Sequence, residues 1–229
     1  MRRYQRTALL VLVISVQCAA QSQSEGKLNV TYWAGSEVDG STFVLELNGS
    51  GKLRFIPATG VISRGTWKRN ANAIELELNG DFVRLTGEID GDCIDGIAAT
   101  KRGVKWKWFA RQQPSVLSTA APVYPPLARA AMISGKVLVE LEIDSLGAVT
   151  SISTITGHPL LRTASEKAAR QYSFQPDTET RARTARLTFI FTLVNVLAEK
   201  VRSPLILSPY QVEVRGGIPA VERSYVVTN

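Results

Sequence analysis

The stretch "YPPLARAAMISGKVLVELEIDSLGAV", Tyr124 to Val149, holds a tyrosine-proline pair, a short helical run, a strand and a tight turn in one block. Proline suits the first turn of a helix, where the N–H it lacks would have no partner. Leu127, Ala128, Ala131 and Met132 then fall on one side of that helix, and Gly135 ends it. From there Val137, Val139, Leu141 and Ile143 alternate with Lys136, Glu140, Glu142 and Asp144, interrupted only by Leu138. Side chains change face at every residue of a strand, so the pattern predicts a strand with one buried face. "DSLG", Asp144 to Gly147, predicts a hairpin turn in which Gly147 takes the left-handed conformation.

Downstream, a return strand runs from Ala148 to about Thr156, and "GHPLLRTASEKAARQYSF" predicts a second helix begun by Pro159. Leu161, Ala164, Ala168 and Tyr172 form its apolar stripe, and Phe174 and Pro176 close it. "RLTFIFTLVN", Arg186 to Asn195, turns Leu187, Phe189, Phe191 and Leu193 inward as a third strand.

Upstream, residues 28–111 read as short alternating strands separated by Asn-Gly and Asp-Gly turns, whose positive φ angles suit tight hairpins. Six to eight such strands leave raw edges unless the sheet curls shut, so an antiparallel β meander or small barrel is expected. Phe43, Leu45, Leu47, Leu53, Phe55, Trp67, Ile74, Leu76, Leu78 and Trp106 are its core candidates, with Gly87, Gly91 and Gly96 at bends. The outline is loosely lipocalin-like, and either a filled scaffold or a carrier of a small apolar ligand satisfies the pattern. Residues 112–123, rich in small residues and proline, read as a linker. The fold class expected is therefore α+β in two domains.

At the start, Arg2, Arg3 and Arg6 precede the apolar run Ala8 to Val16 and the small residues Cys18, Ala19 and Ala20. That is the layout of a signal peptide over residues 1–20, and it points to the periplasm. An anchored or Cys18-lipidated chain is the alternative, although the run is about half of the roughly 20 residues a membrane span needs. The chain carries +7, of which +4 stays after removal of a leader with three arginines and no acids. With no basic run, nothing points to a nucleic acid. Without Cys18 there is no second thiol for Cys93, which reads as a small buried residue in a strand.

The order helix, strand, strand, helix, strand, with Y-P, G-x-V-x-V-x-L-x-I-D-x-x-G-x-V and Y-x-F-x-P at these intervals, resembles the C-terminal domain of TonB and its relatives over about residues 122–195. Ile155-Thr156, Arg162 and Tyr172 stand where many relatives carry a serine pair, an acid and a tryptophan. The resemblance implies an α-β-β-α-β domain over residues 124–195 and a non-enzymatic binding module. In such a module an edge strand accepts an extended segment of an outer-membrane transporter, or another envelope protein, as an additional strand. It places Tyr124 and Pro125 in the contacting segment, unless they only pack and start the helix, and Arg186, Thr188, Ile190 and Thr192 on the accepting edge. Such an edge also lets two copies pair as a homodimer.

A full transducer needs a membrane helix and a long linker, whereas about 12 linker residues reach only some 40 Å. An anchored short transducer is thus the lesser reading. His158 stands alone before Pro159, no G-x-S-x-G or phosphate-binding loop occurs, and "DGDCID" (Asp90 to Asp95) lacks the full ligand spacing of a calcium loop, so neither enzyme nor cofactor is expected. In the extension, residues 196–229, "YQVEV", a Gly216-Gly217 turn and "PAVERSYVV" suggest a hairpin able to cover the accepting edge.

Overall fold

The computed structural model describes residues 30–59, 61–177, 183–195 and 202–218. The expected signal peptide and the tail strand "PAVERSYVV" fall outside the described residues.

Eight antiparallel strands follow one another with tight turns: β1 (Val30–Glu37), β2 (Thr42–Asn48), β3 (Lys52–Pro57), β4 (Ser63–Asn70), β5 (Ala73–Leu78), β6 (Val83–Asp90), β7 (Cys93–Thr100) and β8 (Lys105–Gln112). β1 pairs with β8 from Trp33↔Gln112 to Glu37↔Trp108, which closes the barrel and removes its edges. The turn after β5 shows why the sequence breaks there: Asn79 and Gly80 both hold positive φ, at 53° and 64°. Inside, Trp33, Phe43, Leu45, Leu76, Leu85 and Trp108 are buried in one cluster, against which Phe55, Trp67 and Trp106 pack half-buried. The barrel thus encloses its own side chains.

The glycines expected at bends do different work. Gly91 makes the turn after β6, with φ at 57°. Gly87 and Gly96 sit opposite one another in β6 and β7. A Cβ on Gly96 would come within 2.5 Å of the Trp108 Nε1, so the missing side chains admit the indole.

Past the barrel the chain forms β9 (Val116–Ser118), α1 (Pro126–Ala130), β10 (Gly135–Ile143), β11 (Val149–Thr156), α2 (Pro159–Ala169), β12 (Ser173–Phe174), β13 (Arg183–Val194), β14 (Leu205–Ser208) and β15 (Gln211–Gly217). Met132, not Gly135, ends the first helical turn by taking φ of 57°. β10 buries Val137, Val139, Leu141 and Ile143, as the alternation requires. Asp144 Oδ1 accepts the N–H groups of Leu146 at 3.0 Å and Ala148 at 2.8 Å, which shapes the β10–β11 turn. His158 caps α2, its Nδ1 accepting the Leu160 N–H at 3.3 Å.

Three further expectations change. Residues 112–123 are not a free linker, because β9 pairs with β12 and Tyr210 donates its hydroxyl to the Pro114 carbonyl. Gly216 and Gly217 do not turn the chain but complete β15; the hairpin lies between β14 and β15, around Pro209 and Tyr210. The two units are not separate bodies either. Val44 and Ile56, on the outer barrel face, are buried in the core that also holds Val139, Leu187, Phe189 and Val212. The molecule is mostly β, with one closed barrel packed against a sheet of order β11-β10-β13-β15-β14.

Candidate strand-addition site

In a strand ladder alternate residues point their backbone groups to opposite sides. On β13 the Thr188 N–H donates to the Tyr210 carbonyl at 2.8 Å and the Arg186 N–H to Gln113 Oε1 at 2.8 Å. The backbone groups of Arg186, Thr188, Ile190 and Thr192 therefore face away from β10, along the edge the sequence singled out. That edge is not free. β15 pairs with it in parallel from Thr188↔Gln211 to Val194↔Gly217.

The occupant is built into the core. Tyr210, Val212 and Val214 are buried, and full burial of each stabilises by roughly 1.5–3 kcal/mol. The tail hairpin provides the strand that a partner was expected to provide, and Thr188, Ile190 and Thr192 are corrected from an open rim to an internal ladder.

Tyr124 and Pro125 take the packing role. The Tyr124 ring meets Phe191 edge-on, with centroids 5.3 Å apart, and its hydroxyl donates to the Ile133 carbonyl at 2.6 Å. Burial pushes its phenol pKa upward. Gly216 lies against this ring, where a Cβ would approach Cδ2 to 2.7 Å. Pro125 is the N-cap of α1. Tyr124 thus sits at the far end of β13 from Arg186 and shares no surface with it.

The remaining edges are blunted. β11 is bulged twice, and the Thr150 and Ser153 hydroxyls turn back to the carbonyls of Glu142 at 3.2 Å and Glu140 at 3.3 Å. β14 has 4 residues, and Arg54 of the barrel donates to its Leu207 carbonyl at 3.1 Å.

One piece of edge stays open. β15 begins opposite Thr188, so Arg183–Leu187 pairs only with β10 among the described residues. Its other side opens on the cleft between barrel and sheet, through two adjoining cavities of about 240 and 910 Å³. Gln113 crosses the cleft to Arg186, while Thr184 is exposed in it and faces the same way two residues earlier. Three arginines line the cleft, each beside an acid: Arg111 with Asp92 at 3.6 Å, Arg183 with Asp177 at 3.6 Å, and Arg186 with Glu140 at 2.8 Å. Cys93 is not buried as expected but half-exposed, its Sγ 3.9 Å from Arg111 Nη2, a contact that helps raise the guanidinium pKa.

Sequence reading missed Gln113, Arg183 and Thr184. Gln113 lies in what read as linker, and "RART" carries too many charges for an apolar alternation to extend the strand so far back. A separate concavity of about 680 Å³ on the barrel wall crosses β4 to β7, away from any strand edge, and its Glu75 is paired with Lys68 and Arg84. Among the described residues no three His, Cys, Asp or Glu side chains gather as metal ligands, and no helix is long and apolar enough to cross a membrane.

A search of curated proteins found no match to the chain. Residues 120–193 do match a protein family described as Gram-negative bacterial TonB protein C-terminal. The matched span runs from the segment before α1 to the end of β13, which leaves the barrel and the β14–β15 hairpin outside it. Over residues 120–193, about a third of its length, this chain therefore carries a TonB C-terminal domain.

Proposed function

We infer that the protein is a non-enzymatic binding component of the Gram-negative envelope, acting in TonB-related transport from the periplasm. Its TonB-like domain docks an extended segment of an outer-membrane transporter, or of another envelope protein, by strand addition. The place of docking is the first half of β13 in the cleft, not the Thr188–Val194 rim. The observation that carries this reading is the start of β15 opposite Thr188, which leaves Arg183–Leu187 paired on one side only among the described residues. A segment entering the cleft meets backbone groups at Thr184 and Arg186, with Gln113 as the side chain to displace. The arginine–acid pairs offer ionic partners of both signs to its side chains. The barrel, filled with its own side chains, serves as the opposite wall.

Strand addition recognises backbone, so it is tested through backbone. A photo-reactive residue at Ser115, which lines the larger cavity, should give a covalent adduct with an envelope protein in cells that make this chain. Thr184→Pro removes one N–H on the cleft side and none of the β10 ladder, so the fold tolerates it. The adduct should fall at least about tenfold in that variant, the loss of one charge-free backbone pairing and its neighbours. An adduct of undiminished yield, or no adduct at all, overturns the reading.

A further inference from the structure

Successive turns of a meander barrel alternate between its two ends, and the two ends of this barrel differ in chemistry. At one end lie the turns around residues 49–51, 71–72 and 91–92, made of Asn, Gly, Ser, Ala and Asp. At the other lie the turns around residues 38–41, 58–62, 79–82 and 101–104, and each presents a large apolar side chain to solvent. These are Val38 at 74% exposure, Val61 at 86%, Phe82 at 45% and Val104 at 61%. A folding core does not require exposed apolar groups on four turns of one end and none on the three turns of the other.

The last three of these turns are tied side by side. The Asn79 N–H donates to the Arg64 carbonyl at 3.2 Å, and the Lys101 N–H donates to the Phe82 carbonyl at 3.0 Å. Around Val61, Phe82 and Val104 stand exposed cations: Arg64, Lys101, Arg102 and Lys105. Asp81 is the acid among them, and it is shared between Arg84 at 3.0 Å and Lys101 at 3.9 Å. Arg64, Arg102 and Lys105 make no ion pair among the described residues. The Val38 turn carries Glu37 and Asp39 instead, and so marks the side of this end that anions would avoid.

Apolar tips collared by four cations, three of them without an ion pair among the described residues, match an anionic bilayer surface: the tips enter the headgroup region while the cations meet lipid phosphates. We propose that the barrel end formed by the turns at Val61, Phe82 and Val104 is a peripheral docking site for a membrane leaflet rich in anionic phospholipid. The larger cavity of the cleft is lined by Gly91 and Asp92 of the opposite end, so this docking turns the cleft away from the leaflet, and it stands independently of what the cleft binds. A protein partner would ask for a flat or concave apolar face, whereas these side chains project singly from separate turns.

The test is co-sedimentation of the full-length protein with vesicles of phosphatidylethanolamine and phosphatidylglycerol at 3:1, beside vesicles of phosphatidylcholine alone. Each basic side chain near an anionic surface is worth about 1 kcal/mol, so Lys101→Glu with Arg102→Glu should weaken binding by at least about tenfold. Phe82→Ser with Val104→Ser should weaken it by a similar factor while leaving the charge unaltered. Lys52→Glu with Lys68→Glu, at the opposite end, makes the same change in net charge and should stay within about twofold of the parent. Any contribution of the N-terminal apolar run is common to all four proteins and cancels in the comparison. The proposal is overturned if both charge-reversed proteins lose binding equally, if the two tip variants sediment like the parent, or if the parent binds neutral vesicles as well as anionic ones. It is equally overturned if tip substitutions abolish self-association but change nothing on vesicles, since the end would then be a contact between copies.

Discussion

Gly96 and Tyr172 illustrate how single positions carry opposite kinds of strain. A Cβ on Gly96 would lie 2.2 Å from the Thr86 carbonyl oxygen and 2.5 Å from Trp108 Nε1, neither of which can withdraw without disturbing the β6–β7 ladder. Gly96→Ala should destabilise the protein by about 1–3 kcal/mol, read as a lower midpoint of urea unfolding, with a shift in tryptophan emission as the Trp108 indole moves. A midpoint unchanged within error would refute the account of the glycine pair. Tyr172 is buried, and its hydroxyl finds no hydrogen-bond partner among the described residues. Tyr172→Phe should therefore raise stability by about 1 kcal/mol, because an unsatisfied buried hydroxyl costs about that much. The same burial raises the phenol pKa of both Tyr172 and Tyr210 above the ordinary value of 10.0. A pKa higher in the folded than in the unfolded state leaves stability whole below the unfolded value and removes it as pH rises beyond. Unfolding should thus set in above about pH 10, and Tyr172→Phe should move that onset upward.

Single elements were legible where a local rule decided them. The alternation of Val137, Val139, Leu141 and Ile143, the Asx turn at Asp144 and the proline start of α2 each depend on neighbours within a few residues, and all appear where the sequence puts them. The pairing of β13 with β15 depends on a contact between residues more than twenty positions apart, joined in parallel, and no local pattern specifies a parallel partner. "YQVEV" announced a strand able to cover the β13 edge, but neither its parallel sense nor β14 as its hairpin partner. The short β9 was invisible for a related reason, since Val116 to Ser118 is too brief for a period and is held by β12 alone. The site followed the same division. The direction of the β13 edge was readable from alternation, while its occupancy was a tertiary fact. From this follows a prediction for the hairpin as an element. Truncation after residue 203 removes β14 and β15, uncovers the Thr188–Val194 edge and exposes the faces that Tyr210, Val212 and Val214 cover. An uncovered edge next to a bare apolar face is a template for self-pairing. The truncated chain should run as dimers or larger species in gel filtration under conditions where the full chain does not, and monomeric behaviour would show that β15 is dispensable to the sheet.

For the whole molecule, the decisive contact is the one that turns two units into one body. Val44 and Ile56 point outward from the barrel, yet they are 2% and 0% exposed because the sheet with Tyr210 and Val212 covers them. Around that apolar patch, Gln211 Nε2 donates to the Pro57 carbonyl at 2.7 Å, Arg54 to the Leu207 carbonyl, and Tyr32 packs on Tyr210 with ring centroids 5.4 Å apart. Leu207, Tyr210, Gln211 and Val212, which make these contacts, all lie in the β14–β15 hairpin that the family match leaves out. The hairpin thus has two tasks, closing the β13 edge and gluing the TonB-like domain to the barrel, and the cleft exists because the glue holds its two walls at a fixed separation. Ile56→Asp places a charge in this buried patch, where Arg54, two residues away on β3, is already held by Glu46 and the Leu207 carbonyl, and it should cost at least about 3 kcal/mol of coupling. The distribution of aromatic residues makes the outcome readable. All four tryptophans, Trp33, Trp67, Trp106 and Trp108, lie in the barrel, so their fluorescence follows the barrel alone, whereas the near-ultraviolet tyrosine signal is weighted to Tyr124, Tyr172 and Tyr210 of the other unit. In the parent protein both signals should change at one denaturant concentration. In Ile56→Asp they should separate, the tyrosine signal changing first because the barrel closes on its own ladder and the sheet does not. The same variant should lose the adduct at Ser115, since a cleft whose walls drift apart no longer holds a strand against Thr184 and Arg186. Coincident transitions in the variant would mean that the patch does not couple the units, and the cleft would then need another cause for its shape.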